Sequence, residues 1–363
     1  MDPELPPPRP IPRLRFFVAL VIVAVFSALF ASAFRAATTF LFQRVMHAPD
    51  VLVLFQRLPF WARVLLPTFG GAIAGLLAER ATREAGGHSV GDVMEAVALG
   101  GVRPSIGAAS LKALGSWAAI VTGMSIGREG PLVQFGGALG SKVGTTLRIS
   151  ELRTRALIAA GIGAGFAAAY NTPLAAVLFV VEVFTGVAAL SIVLPTLIAV
   201  AIATALTRFF VGDGPIYGQH TFAMHAPWEL GVHFVLGALG GLAGFAFMRL
   251  LSAGETVFSR VKARPLRAAI GGAIVGSIAC ALPTVTGNGY EAIALILGGG
   301  IPLGALVLLV IAKPVATSIS VGSGSPGGVF TPRCSSAPRW ARCSRPRSCG
   351  SCPPSAPRAA TRS

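Results

Sequence analysis

The stretch Gly127-Arg128-Glu129-Gly130-Pro131 places two charged side chains in an otherwise apolar part of the chain. An ionisable side chain within a membrane segment is costly and is retained mainly for function. Glycines flank the acid and a proline stands two residues after it, which is typical of a helix that is interrupted and restarts inside a bilayer. The stretch therefore predicts a discontinuous membrane helix with a functional carboxylate at Glu129.

The composition indicates a protein that crosses a membrane several times. Of the 363 residues, 53% are hydrophobic and 12% are charged, and the mean hydropathy is +0.72. Apolar segments that span or nearly span a bilayer lie at residues 16–34, 156–181, 187–207, 230–248, 268–282 and 292–312. With 44 glycines and 26 prolines, these segments are expected to be tilted, closely packed and interrupted. We predict an all-α, multi-pass protein integral to the lipid bilayer.

The basic residues predict an orientation in the membrane. Cytoplasmic loops are enriched in Lys and Arg, and the first apolar segment is preceded by Arg9, Arg13 and Arg15. A second basic loop contains Arg260, Lys262, Arg264 and Arg267. We expect a cytoplasmic N-terminus and location in the cell (inner) membrane. The net charge of +16 does not indicate nucleic acid as a partner, because the sequence has no basic domain interleaved with aromatic residues.

Residues 333–363 differ from the rest of the chain. They contain seven Arg, seven Ser and four of the five cysteines, but no Leu, Ile, Val, Phe or Met, so they cannot form a core or cross a bilayer. Cys349 and Cys352 have C-x-x-C spacing without a second close pair or a histidine, and neither a metal nor another cofactor is predicted. We expect a membrane domain at residues 1–332 and a disordered basic tail at 333–363. The abrupt change after Pro332 suggests that the reading frame was lost there.

Three motifs resemble the CLC family of chloride channels and proton-coupled chloride transporters, over roughly residues 15–332. Gly127–Pro131 matches the family's G-[KR]-E-G-P, and Gly328–Pro332 matches its G-x-F-x-P. Residues 161–182 between them are similar to the family's G-x-A-A-G-x-A-A-A-F-N-x-P-L-A…F-x-x-E block. The resemblance implies an anion-transport domain built as an inverted repeat of tilted and discontinuous helices, here with an incomplete second half.

Both short motifs are suited to helix N-termini that bind an anion. Glycine lets the backbone approach an ion, and unpaired N–H groups with the helix dipole supply positive potential. The predicted anion-binding residues are Gly127, Arg128, Gly130, Gly328, Val329 and Phe330. The Glu129 carboxylate would compete with chloride there and move aside when protonated, as the family's external gate does. The alternative is an interfacial Arg128–Glu129 ion pair without a gating role.

Two further family positions match only in part. The best match to Gly-Ser-Gly-Ile-Pro, whose serine coordinates the central anion in the family, is Gly87-His88-Ser89-Val90-Gly91. His88 and Ser89 are therefore predicted to bind the anion, while the preferred anion stays open. Exchangers usually carry a glutamate directly after F-x-x-E, where this chain has Val183, and valine cannot relay a proton. Glu182, the acid of that block, is expected to be a buried structural carboxylate.

The family's later helices, including one whose tyrosine closes the inner side of the anion site, have no match after Pro332. None of Tyr170, Tyr217 and Tyr290 lies in that context. Without those helices, polar helix ends would face lipid that cannot satisfy them. We expect this form of the chain to be unstable or inactive. The resemblance implies a homodimer with one pore per subunit and an interface that is only partly encoded.

The function predicted first is transport of chloride or another anion by a CLC-type channel or transporter. The alternatives are a proton/anion antiporter with a variant proton route, and an inactive transporter that serves at most as a scaffold. An enzyme is not predicted. Ser323 and Ser325 lie between glycines without a G-x-S-x-G or H-E-x-x-H motif, and such serines usually serve as turn and N-cap residues.

Overall fold

The computed structural model of the chain describes residues 13–85, 97, 103–186, 189–214 and 226–328. The regular elements in these ranges are helical, and the predicted all-α fold is confirmed. Two helices continue into π-helical turns, Leu41–Val45 after the first helix and Val180–Thr185 after the seventh, and a 3-10 turn lies at Pro283–Val285. We number the helices α1 (Arg13–Phe40), α2 (Val51–Arg57), α3 (Phe60–Ala85), α4 (Ile106–Val121), α5 (Glu129–Thr146), α6 (Glu151–Tyr170), α7 (Pro173–Phe179), α8 (Leu190–Val211), α9 (Glu229–Phe258), α10 (Arg264–Ala281), α11 (Tyr290–Leu297) and α12 (Leu303–Gly322).

Several of these helices can cross a membrane. Within the described ranges, five are long and apolar enough to do so by length and composition. They are Leu14–Val45, Phe60–Arg83, Leu190–Val211, Glu229–Phe258 and Leu303–Gly322. The predicted multi-pass membrane protein is confirmed.

Two of the predicted apolar segments are each divided into two helices. In residues 156–181, Asn171 adopts a left-handed conformation with φ 55° and Pro173 is the first residue of α7. In residues 292–312, α11 and α12 are separated by a turn in which Gly299 has φ 71°. A left-handed residue ends a helix, and proline can begin the next one because it has no N–H to pair. The single spans expected at these two places are wrong, whereas the expected interruptions are present.

Glycines bring the backbones of α5 and α6 into direct contact. A Cβ on Gly136 would overlap the carbonyl oxygen of Gly161, and a Cβ on Gly161 would overlap that of Gly136. One turn further along, a Cβ on Gly140 would overlap the carbonyl of Leu157. Such small-residue contacts are the usual way in which membrane helices pack closely. They fix α5, whose first residue is Glu129, against the buried helix α6.

The two halves of the chain are related by an internal repeat. Gly70-Gly71-Ala72-Ile73 in α3 recurs as Gly271-Gly272-Ala273-Ile274 in α10, a spacing of 201 residues. The same spacing separates Gly123 from Gly324, which follow the ends of α4 and α12 with φ of 95° and 88°. Equivalent positions therefore adopt equivalent left-handed conformations.

Reciprocal contacts between α3 and α10 show that the repeat is arranged about a two-fold axis. A Cβ on Gly71 would overlap the carbonyl of Ala268, and a Cβ on Gly272 would overlap the carbonyl of Pro67. The 201-residue spacing converts one contact into the other, because Gly71 corresponds to Gly272 and Pro67 corresponds to Ala268. The predicted inverted repeat is confirmed.

α9 is exposed along most of its length. It packs on α12, where a Cβ on Gly254 would lie 2.8 Å from the carbonyl oxygen of Ser318. On the N-terminal side of this contact, the large apolar side chains of α9 are exposed, and Phe234, for example, is 80% exposed. By its order in the repeat, α9 corresponds to α1, which packs against α5, α6 and α8.

Candidate anion-binding site

The two interrupted motifs meet at one backbone contact. The N–H of Gly127 donates to the carbonyl of Gly328 with an N–O distance of 3.2 Å, and the N–H of Gly328 donates to the carbonyl of Gly127 at 2.8 Å. Gly127 and Gly328 are also 201 residues apart, so they are equivalent positions in the two halves of the repeat. Their reciprocal pair of hydrogen bonds therefore lies at the two-fold axis that relates the halves. The structure thus brings together two predicted site residues from opposite halves of the chain.

The Glu129 carboxylate lies beside these two glycines. Glu129 is the first residue of α5 and is only 6% exposed. A Cβ on Gly127 would overlap its Oε2, and a Cβ on Gly328 would lie 3.0 Å from that oxygen. Gly130 also lies close to the second half of the repeat, because a Cβ on Gly130 would lie 2.7 Å from Gly328 Cα. We call Gly127, Gly130 and Gly328 the glycine cradle; side chains at these positions would displace the carboxylate or separate the halves.

The start of α5 favours a negative charge. The side chain of the N-cap residue, Arg128, makes no capping hydrogen bond to this helix, and the first N–H groups of any helix lack an acceptor within the helix. Pro131, in the first turn, has no N–H to satisfy. The positive end of the helix dipole adds to the attraction for an anion. The Glu129 carboxylate therefore lies at a helix end that stabilises negative charge.

Two tyrosines that sequence reasoning did not connect with the site lie against Glu129. The Tyr290 hydroxyl donates to Glu129 Oε1 with an O–O distance of 3.1 Å. The Tyr170 hydroxyl interacts with the same carboxylate, and the two tyrosine rings meet edge to face with centroids 6.1 Å apart. Tyr170 is the last residue of α6 and Tyr290 the first of α11. The available signal was the proline three residues after Tyr170 and the two glycines just before Tyr290, while Tyr217 lies outside the described residues.

Arg128 is bound to groups other than Glu129. Its Nη2 donates to the Ala169 carbonyl at 3.0 Å, and its Cζ lies 4.5 Å from the centroid of the Tyr290 ring. Its Nε is buried and has no hydrogen-bond partner in the part of the chain that the structure describes. A buried N–H without a partner is uncommon, and this one is a donor that an anion can take. These contacts do not favour an Arg128–Glu129 ion pair as the reason for the motif.

The remaining predicted anion-binding residues cannot be placed. Four of these residues lie outside the described ranges, namely His88, Ser89, Val329 and Phe330. Arg9 and the tail at 333–363 also lie outside them.

The expectation that Glu182 is a buried structural carboxylate is wrong, since Glu182 is exposed. It lies in the π-helical turn Val180–Thr185, which buries Val180 and Phe184 in an apolar cluster with residues of α6 and α8. Residues two positions apart project from opposite sides of a helix, so the burial of its neighbours directs Glu182 outward. Val183 packs partly buried against the same cluster.

Ser323 and Ser325 make contacts typical of helix ends. The Ser323 Oγ donates to the Ser320 carbonyl at 2.8 Å, and the Ser325 Oγ donates to Met124 Sδ at 3.4 Å. Both hydroxyls are buried at the end of α12.

Fold and site together define a class of protein. The described residues form a multi-pass membrane protein of the inverted-repeat class, with an acidic side chain held at an interrupted helix where the two halves meet. The sequence profile of the voltage-gated chloride channel family matches residues 70–334, more than half of the chain. This chain belongs to that family, the CLC family.

Relatives and solved structures agree with this membership. The chain is 35% identical over 317 residues to a putative chloride channel protein ClcB-like of Ralstonia nicotianae, covering 86% of this chain and 74% of that protein. It is 32% identical over 286 residues to the H(+)/Cl(-) exchange transporter ClcA of Vibrio cholerae, covering 76% and 61%. Its fold is similar to that of a slow cyanobacterial Cl-/H+ antiporter, with a TM-score of 0.76 at 24% identity over 87% of this chain and 75% of that one. A CLC-type fluoride/proton antiporter has a TM-score of 0.67 at 23% identity, over 87% and 76%.

Proposed function

We propose that this protein transports chloride or another small anion across a membrane, with Glu129 as the gate. One observation carries the proposal: the buried Glu129 carboxylate lies against the glycine cradle at the N-terminus of α5. A carboxylate oxygen and a halide both carry negative charge and both bind N–H donors at helix ends. The gate and the transported anion therefore compete for one place.

Proton uptake supplies the means to open the gate. In the described structure the Glu129 carboxylate accepts a hydrogen bond from Tyr290, and a negative charge on it would be attracted by the helix dipole. Protonation removes the negative charge and weakens both interactions. A neutral side chain competes poorly with an anion, so that acidification frees the glycine cradle for chloride.

Nearby positive charge supports the entry of an anion. The unpartnered Nε of Arg128 is available to an anion that reaches the start of α5. Arg35 of α1 lies close enough to Arg128 for their charges to interact. Clustered positive side chains raise the local concentration of anions and increase the rate of association.

A proton/anion antiporter is the second candidate. The hydroxyls of Tyr170 and Tyr290 lie against Glu129, which gives the carboxylate two neighbours able to exchange a proton. Val183, which stands where exchangers of the family usually carry a glutamate, packs among apolar side chains, so the inner part of a proton route would use other residues. We favour anion transport as the common function and proton coupling as the property to be measured.

Location and assembly are part of the proposal. The basic residues before α1 support a cytoplasmic N-terminus, and the family membership supports the cell (inner) membrane and a homodimer with one pore per subunit. Neither a cofactor nor nucleic acid is part of the proposed function.

Reconstitution into liposomes tests this function. The 363-residue chain would be placed in chloride-loaded vesicles, and chloride efflux and proton uptake followed as the external pH is varied. We expect efflux to rise as pH falls, and Glu129→Gln and Glu129→Ala to conduct without pH dependence. Glu79→Gln is the matched control, because Glu79 pairs with Arg83 on α3. An unchanged pH profile in Glu129→Gln would contradict the gate. No efflux from the unaltered chain would contradict transport by this form and would agree with the alternative of an inactive transporter, whereas robust efflux would overturn the expectation that this form is inactive.

A further inference from the structure

Lys313 places an ammonium group within the apolar helix α12. Its Nζ donates to the carbonyls of Val285 at 2.9 Å, Thr286 at 3.3 Å and Gly287 at 2.9 Å. An ammonium has three N–H donors, and here they meet three consecutive backbone acceptors. A charged side chain in a candidate membrane span is costly and is expected to have a specific role.

The three carbonyls belong to the segment that leads into α11. This segment leaves the 3-10 turn Pro283–Val285 and contains two left-handed glycines, Gly287 with φ 63° and Gly289 with φ 95°. The N–H of Gly287 also donates to the carbonyl of Gly123, at 3.4 Å, at the end of α4. A segment without regular structure has no hydrogen-bond ladder of its own, so carbonyls that converge in a membrane need donors from elsewhere. Lys313 supplies those donors.

Tyr290 follows this segment directly and is the first residue of α11. Its hydroxyl reaches Glu129 at 3.1 Å, and its ring lies under the guanidinium of Arg128 at 4.5 Å. α11 has only eight residues, and beyond Ala292 its residues are mostly exposed. The place of Tyr290 is therefore set at the start of the helix, where Lys313 holds the preceding backbone.

We propose that Lys313 is a positioning residue that sets Tyr290 against Glu129 and thereby sets the proton concentration at which the gate opens. The inference rests on the proposed function, since it concerns the same gate. The Tyr290 hydrogen bond stabilises the ionised carboxylate, so its loss makes protonation easier. The charged and titratable groups around the gate are Arg128 beside it, Tyr170 from α6, Tyr290 and Glu291 from α11, Arg35 from α1 and Lys313 from α12.

The test is a double-mutant cycle on the pH at which Glu129 takes up its proton. Infrared difference spectra of the full chain in detergent give this pH without any flux, and the carboxylic acid band is assigned by its absence in Glu129→Gln. We expect Tyr290→Phe to move the midpoint upward by about one pH unit. Lys313→Met should move it upward by a similar amount, and the double variant by no more than either change alone.

Arg63→Met is the matched control. Arg63 also donates to three backbone carbonyls, those of Gln56, Leu58 and Cys280, and none of these residues is among the contacts of Glu129 described above. Its removal should leave the midpoint unchanged. Lys313→Gln keeps an amide donor and should give a smaller shift than Lys313→Met, which provides a second variant if the methionine variant does not fold.

Each outcome separates the inference from the function on which it rests. Additive shifts in the double variant would mean that Lys313 acts on Glu129 through its charge alone, and would overturn the positioning role. An unchanged midpoint in Lys313→Met and Lys313→Gln would overturn it as well. The absence of any band that depends on Glu129 would instead contradict the gate itself.

Discussion

The backbones of Gly127 and Gly328 exchange two hydrogen bonds, with N–O distances of 3.2 and 2.8 Å. This pair joins the two halves of an inverted repeat, and the Glu129 carboxylate lies against it. Negative charge at this junction is stabilised by the N-terminus of α5, where the first N–H groups and the helix dipole supply positive potential. The following expectations test the parts of this arrangement separately.

The glycine cradle should not tolerate a methyl group. In Gly130→Ala the new Cβ would lie 2.7 Å from Gly328 Cα, so backbone must shift, and the free energy of unfolding should fall by about 1–3 kcal/mol. Thermal unfolding in detergent measures this change. Gly237→Ala on α9 is the control, since nothing lies within 4 Å of its Cβ. Equal stability of the two variants would show that the cradle is not tightly packed.

Arg128 should strengthen chloride binding. Arg128→Gln removes the positive charge and the unpartnered Nε donor, so the chloride concentration for half-saturation should rise at least about tenfold. Calorimetric titration with chloride measures this concentration. Arg249→Gln is the control, because it removes a cation that lies over the ring of Phe245 on α9, 5.1 Å from the ring centroid. This change should leave the chloride concentration for half-saturation unchanged. The same affinity in both variants would remove Arg128 from the site.

The two-fold relation predicts equal costs at equivalent positions. Gly71→Ala and Gly272→Ala each drive a Cβ into a carbonyl of the other helix, and each should lower the free energy of unfolding by about 1–3 kcal/mol. Gly240→Ala, whose Cβ has open space, serves as the reference. A large cost at only one of the two positions would show that the contact between α3 and α10 is not symmetric in energy.

Glu182 should contribute little to stability. Because the side chain is exposed, Glu182→Gln should change the free energy of unfolding by less than about 0.5 kcal/mol. Chemical denaturation of the two proteins measures the difference. Thr196→Val provides the contrast, since Thr196 is 1% exposed and its hydroxyl donates to the Ile192 carbonyl. A loss of stability in Glu182→Gln larger than in Thr196→Val would restore a structural role for the acid.

The breaks in the helices were the part of the fold most open to prediction. Pro131 and the glycines around Glu129 act on their own backbone, through a missing N–H or a missing Cβ, so the break before Glu129 is visible in the sequence. The lengths of the individual helices were harder to predict from the sequence. Hydropathy alone joined residues 156–181 into one span, because a break at Asn171 barely changes the mean hydropathy of a window.

Side-chain environments were less predictable still. Glu182 was expected to be buried because it matches the acid of the family's F-x-x-E block, but the π-helical turn directs it away from Val180 and Phe184. Tyr290 was compared only with the family's inner tyrosine, whose context it does not match, and its hydroxyl donates to Glu129 instead. Both outcomes depend on how helices are rotated against each other, which a single sequence does not reveal.

The sequence by itself determined that this is a membrane protein of interrupted helices with a carboxylate at one interruption, because hydropathy, glycine and proline act within a few residues of where they stand. Only the tertiary structure decided that Tyr290 donates to this carboxylate and that Lys313 holds the backbone just before Tyr290. These contacts join residues 161 and 26 to 28 positions apart along the chain. The Tyr290 contact exists because the two halves pack against each other at Glu129, whereas the Lys313 contacts form within the second half, between α12 and the segment before α11.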